Sequence, residues 1–597
     1  MFNPEYLKKL FSIDSKFTEL LQSAPSKHDA RNALSDYWGG KQRQLYRNYR
    51  ERRSMEWFLQ VSCIVVLRRM ISLRSEMLAH FDLMELLWNL AHENFSNLPS
   101  QLSDAFFEDL MHVVKGACGI SGVYKDEKVP RFFGLKGREA AIDRSRELDE
   151  IARWSDDFLS GYISGLDEEI IKTRETNRRR IQNVLEGTEE DWFNYQWQLK
   201  HVIREVDTLG RLIQLSETET EAIRLANQYH LPFGITPYYV SLMDEESHRR
   251  FDHAIRAQVI PPLDYVQAMI QHKGDLNYSF DFMLEHDTSP VDLITRRYPR
   301  VVILKPYNTC SQICVYCQRN WEIDQVLDPH ALASMERIET AIDWIREHHW
   351  VAEVLITGGD PLIMHDDMID KLMKMVADID HVERIRIGSR VPVVIPQRIT
   401  PQLIDILASY QVPGRREVVL VTHFEHVSEI TPDSMQAIQQ FKRNGISAYN
   451  QAVYTIENSR RFELVALRRL LRLIGVDPYY SFNAKGKQET AQYRVPMARL
   501  QQEIKEEARL FPGIMRTDEA VYNVPRLGKN YLRAEQNHTL LTILADGRRV
   551  YEYHPWEKNL VMADTYIDTD VPIYDYLKAL ERRGENPENY KTIYYYF

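Results

Sequence analysis

The sequence predicts an α/β fold, a partial parallel (βα)6-type barrel preceded by a large all-helical N-terminal region, and two residue patterns predict it. After residue 300, short β-branched runs recur about every 25 to 50 residues with amphipathic stretches between them, the alternation of a parallel βα array. Up to about residue 185, apolar positions recur at three- and four-residue spacing through 55–95 and 102–118, and charged helix formers fill 137–185, as helices require. The candidate strands are 301–305 (VVILK), 353–357 (EVLIT), 384–388 (RIRIG), 417–422 (EVVLVT), 447–454 (SAYNQAVY) and 478–482 (PYYSF). Most run straight into a polar or glycine-containing segment, and in a parallel barrel the reactive groups gather at the C-terminal ends of the strands. The stretch 186–290 stays helical but gains aromatics and prolines, including Trp192, Trp197 and the Thr236-Pro237 break. The expected division is therefore a helical extension at 1–185, a capping segment at 186–290, the barrel at 291–483 and a C-terminal region at 484–597.

Composition sets the outer bounds. The chain has 597 residues, room for up to about four domains at roughly 150 residues each. Hydrophobic residues make up 44% and charged residues 27%, which excludes a disordered, collagenous or coiled-coil chain. Lys+Arg 75 against Asp+Glu 86 leaves a net charge of −11, a balance that argues against a nucleic-acid partner. The basic run Lys41 to Arg53 is interleaved with Tyr46, Tyr49 and Glu51 and reads as a solvated helix face, as does Arg178-Arg179-Arg180. The most apolar run, Phe58 to Leu67, carries Gln60 and Ser62 and falls short of the roughly 18 residues that cross a bilayer. The start Met-Phe-Asn-Pro-Glu lacks the pattern of a secretory signal. A cytoplasmic protein with no membrane partner is expected.

Three of the five cysteines lie within eight residues: Cys310, Cys314 and Cys317. A disulfide framework is implausible in so long a chain, so the cluster asks for a metal. Three thiolates on one loop suit a cubane iron–sulfur cluster with one iron left open. A tetrahedral zinc site is the alternative, but it needs a fourth ligand, usually from a second pair, and no cysteine follows Cys317. Cys63 and Cys118 lie in apolar helical stretches and read as buried core thiols. One βα unit later comes Thr357-Gly358-Gly359-Asp360-Pro361. Paired glycines let backbone approach a ligand closely, and the carbonyls with Asp360 can accept from an ammonium, although the same residues make an ordinary turn.

With these two motifs in this order, the chain resembles the lysine 2,3-aminomutase family of radical S-adenosylmethionine enzymes across roughly 189–535. Segments that carry the resemblance are Trp192 to Leu199, Ile235 to Tyr239, Arg297 to Arg300, Cys310 to Arg319, Gly358 to Leu362, Ile387 to Thr400, Thr422 to Thr431, Asn450-Gln451, Pro478 to Tyr480 and the Lys529 segment. Residues 1 to about 185 are not covered by it.

The resemblance implies an isomerase that moves an amino group from Cα to Cβ, with a [4Fe-4S] cluster, S-adenosyl-L-methionine and pyridoxal 5'-phosphate as cofactors. Cys310, Cys314 and Cys317 would hold the cluster. Gly358, Gly359 and Asp360 would hold the methionine amino end, with Gln451 a further contact. Lys529, after Gly528 on a loop with fewer glycines than is usual in the family, is the Schiff-base candidate; a surface lysine is the plainer reading. Arg297 and Arg300 match arginines that hold the cofactor phosphate. His423 and His426 read as packing residues beside the pocket rather than a metal pair. An electron donor such as flavodoxin or ferredoxin and a homo-oligomer are also implied.

Arg319 matches the arginine that pairs with the substrate α-carboxylate. Where lysine enzymes place two aspartates around the distant ammonium, this chain has Lys485 and Asn523. A lysine substrate would meet a like charge, worth roughly 4 kcal/mol at about 4 Å and an effective dielectric near 20. A carboxylate would gain an ion pair and an amide donor, the replacement seen in glutamate 2,3-aminomutases. The expected reaction is therefore L-glutamate to β-glutamate. Lys485 pointing to solvent, with Lys487 or another residue setting specificity, is the alternative, and lysine or another α-amino acid the alternative substrate. A reading of another class makes the 1–185 helices a docking region and the substrate a tethered aminoacyl group.

Overall fold

The computed structural model describes residues 3–47, 55–124, 130–246, 252–272, 280–281, 283–483, 488–525, 528–554 and 564–597. Lys485 and Lys487 fall outside the described residues. The chain divides into two compact units, one of 157–494 with 511–528, the other of 1–156 with 495–510 and 529–597. Residues 1–156 make one body with the C-terminal segments, while 157–185 belong with the barrel.

The barrel unit carries strands β1 (Ile294–Thr295), β2 (Val301–Tyr307), β3 (Glu353–Gly358), β4 (Arg384–Gly388), β5 (Glu417–Thr422), β6 (Ser447–Tyr454), β7 (Val476–Asn483) and β8 (Glu519–Val524). They are hydrogen-bonded in sequence order. β2 to β7 run parallel, β8 adds parallel to β7, and β1 pairs antiparallel with β2. The crossovers are α1 (Met335–Glu347), α2 (Asp366–Ala377), α3 (Pro401–Ser409), α4 (Pro432–Arg443) and α5 (Glu463–Ile474). All six sequence-predicted strands are present, extended by up to three residues. β1 and β8 were not predicted, since two residues and a six-residue run beside a glycine loop carry little periodicity.

Local chemistry explains where the helices begin. Pro401 and Pro432 stand in the first turns of α3 and α4, where no intrahelical bond needs their missing N–H. Thr400 and Thr431 cap the same two helices, each accepting from a backbone N–H three residues on. Along β2 every second side chain is buried, with Val302 and Leu304 fully so. Lys305 and Tyr307 therefore lie on the opposite face from the packed core.

The other unit is helical through residue 156 and closes with a three-stranded antiparallel sheet of β9 (His538–Ile543), β10 (Arg549–Tyr553) and β11 (Tyr566–Thr569). Arg549 and Asp109, each almost fully buried, form a two-pronged ion pair at 2.8 and 2.7 Å. Arg549 also donates to the carbonyls of Tyr594 and Tyr596, so one cation ties helix Asp104–Cys118 to the last residues. Cys63 is buried against Gly116, where a Cβ would meet its sulfur at 2.4 Å. Cys118 departs from a core thiol: it is half-buried and bonds Asp14, which Tyr37 and Lys41 also contact. Arg43 and Arg47 are exposed, as a solvated face requires.

Breaking a buried pair leaves an uncompensated charge, at a cost of about 3–5 kcal/mol. Asp109→Ala is expected to lower the stability of this unit by that amount in urea unfolding, and a loss under about 1 kcal/mol would show that Arg549 is not the tie.

Candidate active site

β2 and β3 end side by side, and the glycine turn locks them. Gly359 N–H donates to Tyr307 O at 2.8 Å, and Asp360 N–H to Thr309 O at 2.9 Å. A Cβ on Gly359 would lie 2.0 Å from Thr309 O, and Gly358 has φ +124° with Tyr307 O 2.7 Å from its missing Cβ. Only glycine fits either position. The close approach that the sequence suggested for a ligand is thus made to the cysteine loop's own backbone.

Asp360 is likewise committed. Its carboxylate accepts from Leu362 N–H at 3.1 Å, Ser389 Oγ at 2.7 Å and Arg390 N–H at 2.7 Å. These bonds clamp the end of β3 to the end of β4. Through these three bonds Asp360 holds the turn in place.

The cysteine loop is fastened from three sides. Ile313 N–H donates to Gly234 O at 3.0 Å, Val315 N–H to Gln258 O at 2.7 Å and Leu327 N–H to Cys310 O at 3.2 Å. Buried Asn320 donates to the carbonyls of Cys314 and Val315 at 3.1 and 2.9 Å. Burial pushes the Cys310 thiol well up, with Asp360 and the other cysteines adding to it. Burial takes Cys314 up to about 11 against the pull of Arg390. Two buried thiols this reluctant to ionise, on Cys310 and Cys314, would be matched by a cationic centre beside them, as an iron–sulfur cluster supplies.

Arg390, just past β4, is the largest feature that the sequence reading did not single out. Its guanidinium donates to Cys314 Sγ at 2.7 Å, His423 O at 3.1 Å, Glu429 Oε1 at 2.5 Å and Gln258 Oε1. Fully buried Glu429 accepts in addition from Tyr239 Oη at 2.6 Å and from the backbone N–H groups of Glu425 and His426. Arg390, Tyr239 and Glu429 all lie inside the segments that carry the family resemblance, but nothing in their local pattern says that they meet. His423 and His426 do not act as a pair: His426 turns to Ser428 and Glu463. Nearby, burial pushes the Glu425 carboxyl up to about 8, which keeps it protonated at neutral pH.

Arg297 and Arg319 come together on Glu285. Arg319 contacts Glu285 Oε1 at 2.9–3.0 Å, Arg297 contacts the same oxygen at 3.5 Å, and Lys305 reaches Oε2 at 3.1 Å and Glu322 at 2.9 Å. The Asp281 carboxylate also acts on Arg297, so the three cations are shared among Glu285, Glu322 and Asp281. Arg300 does not join them. It is exposed and stacked on Trp350 at 5.6 Å, one residue before β2 and so a strand's length from the cysteine loop. This corrects its expected phosphate role. Gln451 is half-buried on β6 and Asn523 half-buried on β8. Lys529 is half-buried and belongs to the helical unit.

Residues 304–463 match the Radical SAM superfamily. The chain is 41% identical to an uncharacterized KamA family protein of Methanocaldococcus jannaschii, over 98% of this chain and 97% of that one. It is 35% identical to a glutamate 2,3-aminomutase of Clostridioides difficile, covering 58% of this chain and 77% of the relative. It is 34% identical to an L-lysine 2,3-aminomutase of Fusobacterium nucleatum, covering 55% and 73%.

Two outcomes test this geometry. Gly359→Ala is expected to cut the iron retained after anaerobic cluster reconstitution by about half or more, because the loop must shift to admit a methyl group; full iron content would refute the packing role. For Glu285, burial would raise the carboxyl, but Arg319, then Lys305 and Arg297, outweigh it and bring it to about 2. A lowered folded pKa gives stability that is present above about pH 4.5 and lost as pH falls toward 2, here roughly 3 kcal/mol. The stability gap between wild type and Glu285→Gln should therefore narrow by that order over this window, and a pH-independent gap would contradict it.

Proposed function

The chain belongs to the KamA family of radical SAM proteins, and from that premise we propose that it is a pyridoxal-phosphate-dependent amino acid 2,3-aminomutase converting L-glutamate to β-glutamate. The observation that carries the amino acid part is the Glu285-centred cluster. It brings together Arg297 and Arg319, the latter two residues past Cys317, and paired guanidinium forks suit a carboxylate. The observation that carries the radical part is the fastened loop of Cys310, Cys314 and Cys317 beside Arg390.

When bound, the cluster with S-adenosyl-L-methionine supplies one-electron chemistry, and pyridoxal 5'-phosphate supplies an electrophilic carbonyl for the amino nitrogen. This chain's residues do the rest. The three cysteines hold the iron, and Arg390 donates to Cys314 while Glu429 balances its charge. The carbonyls of the Gly358-Gly359 turn would face the methionine ammonium, with Asp360 holding the turn. Arg319 would orient the α-carboxylate and Arg297 the cofactor phosphate, both steadied by Glu285. Lys529 would carry the pyridoxal carbonyl. Lys485 and Asn523 would receive the second carboxylate of glutamate. An external electron donor such as flavodoxin or ferredoxin, a cytoplasmic location and a homo-oligomer are part of this reading. Among the described residues no helix is long and apolar enough to cross a membrane.

Lysine is the second reading, because the lysine enzymes match at nearly the same identity as the glutamate enzyme. Anaerobic, reductively activated protein should produce β-glutamate from glutamate and at least about tenfold less product from lysine. Turnover of lysine or arginine with glutamate untouched would reverse the assignment. Lys485→Asp with Asn523→Asp is expected to shift that preference toward lysine. Borohydride reduction should fix the pyridoxyl group on Lys529 in the wild type, and a label on another lysine would displace it.

A further inference from the structure

A cavity of about 290 Å³ in the barrel unit is walled by Tyr162, Ile163, Arg174, His253, His426 and Arg460, among others. One wall is the 157–185 stretch, which lies outside the part of the chain that resembles the aminomutases. The opposite wall is the loop after β5. Among the described residues that line it there are two arginines and no carboxylate. Ile163 is itself 37% exposed, so the cavity is reached from solvent on that side.

Most of the basic groups here are already matched. Arg460 lays Nε and Nη2 on the Glu463 carboxylate at 3.2 and 2.6 Å. His253 Nδ1 is 3.0 Å from Glu457 Oε2. His426 accepts the Ser428 backbone N–H on Nδ1 at 3.2 Å and turns Nε2 to Glu463 at 3.0 Å. Arg174 is the exception. It sits on the helix Glu168–Val184 and donates Nη1 to Ser428 O at 2.7 Å and Nη2 to Leu242 O at 3.3 Å. Two backbone carbonyls answer two of its five N–H groups and leave its charge without an ion-pair partner. Among the described residues no carboxylate lies within 4 Å of it: Asp244 and Asp252 act on it from further off, and Asp252 is held by Arg256 at 2.5 Å. Gly165 makes room for the guanidinium, since a Cβ there would lie 2.8 Å from Arg174 Nη1 and 2.5 Å from the carbonyl oxygens of Ser428 and Ile430.

We propose that this cavity binds the carboxylate or phosphate group of a small molecule, with Arg174 as the principal contact and Arg460 on its flank. A guanidinium fork matches either oxyanion with two parallel N–H bonds, and Arg174 has three N–H groups that take no acceptor among the described residues. The volume stands at the lower end of small-molecule pockets, roughly 300–1,000 Å³, so the ligand is a free anion, a small organic acid or a small phosphoester. Arg460 stays on Glu463 and offers its remaining field, with the Tyr162 ring 4.9 Å away as an apolar side to the cavity. Arg174 also holds Ser428 O, one residue before the Glu429 carboxylate that bonds Arg390. An anion bound there would therefore act on the loop after β5 through the side chain that ties that loop to the 157–185 stretch.

The opposing view is that Arg174 is only a staple between that stretch and the loop, and anion binding separates the two. Full-length, cluster-reconstituted protein is dialysed to equilibrium against labelled inorganic phosphate and, separately, labelled acetate at constant ionic strength. Binding of at least one of the two is expected, and the anion that binds names the group. Arg174→Gln should weaken it at least about tenfold. Ile163→Glu should do the same, because it adds a negative charge to the lining while leaving the Arg174 bonds to Ser428 and Leu242 in place. Arg319→Gln should retain the binding. Wild-type protein that takes up neither anion overturns the proposal, as does uptake by Ile163→Glu at wild-type strength, whatever Arg174→Gln does. So does binding that vanishes in Arg319→Gln but persists in Ile163→Glu, since the anion would then sit beside the cysteine loop.

Discussion

The buried ion pair of Arg390 and Glu429 is the interaction on which the barrel's functional end depends. A guanidinium and a carboxylate withdrawn from water each cost several kcal/mol, and the pair is tolerable only when every remaining donor and acceptor is satisfied. Here they are used in full: one guanidinium reaches Cys314, His423, Gln258 and Glu429, and one carboxylate gathers Tyr239 and the backbone that follows β5. The ends of β4 and β5, the cysteine loop and the capping segment are thereby fixed to one another through charge. The pair adds specificity of arrangement more than stability, because a displaced partner would leave a bare charge in the interior.

The same logic recurs at lower cost elsewhere. Glu285 lets Arg297 and Arg319 approach each other, which two guanidinium groups would not do unaided. Asp360 does for the ends of β3 and β4 what Glu429 does for β4 and β5, with neutral donors in place of a cation. In the helical unit Arg549 and Asp109 bind the first and last parts of the chain. In each case a single buried carboxylate organises segments far apart in sequence, and in the first two the organised groups are those assigned to substrate or to cluster. Positioning by charge keeps such groups rigid without covering them in apolar side chains, and so leaves them free to meet a ligand.

The N-terminal length looks different in this light. Residues 1–156 share one core with the C-terminal segments, while 157–185 wall a cavity against the loop after β5. The similarity to the Methanocaldococcus protein covers 98% of this chain, whereas the similarity to the glutamate and lysine aminomutases covers 58% and 55% of it. Residues 1–185 are divided between both units.

The sequence by itself determined the barrel and its order. A period of two alternating with a helical period is local, and each β-branched run became the strand expected, up to β7. The cysteine triplet and the glycine turn were legible for the same reason, as residues a few positions apart whose chemistry does not depend on distant partners. The tertiary structure alone decided what those residues face. Gly359 meets Thr309 across fifty residues, Asp360 clamps the ends of β3 and β4, Arg300 moves to the far end of β2, and Arg390 finds Glu429. Burial and charge pairing between distant segments leave no periodic trace in a sequence. They exist only once the strands have brought their ends together.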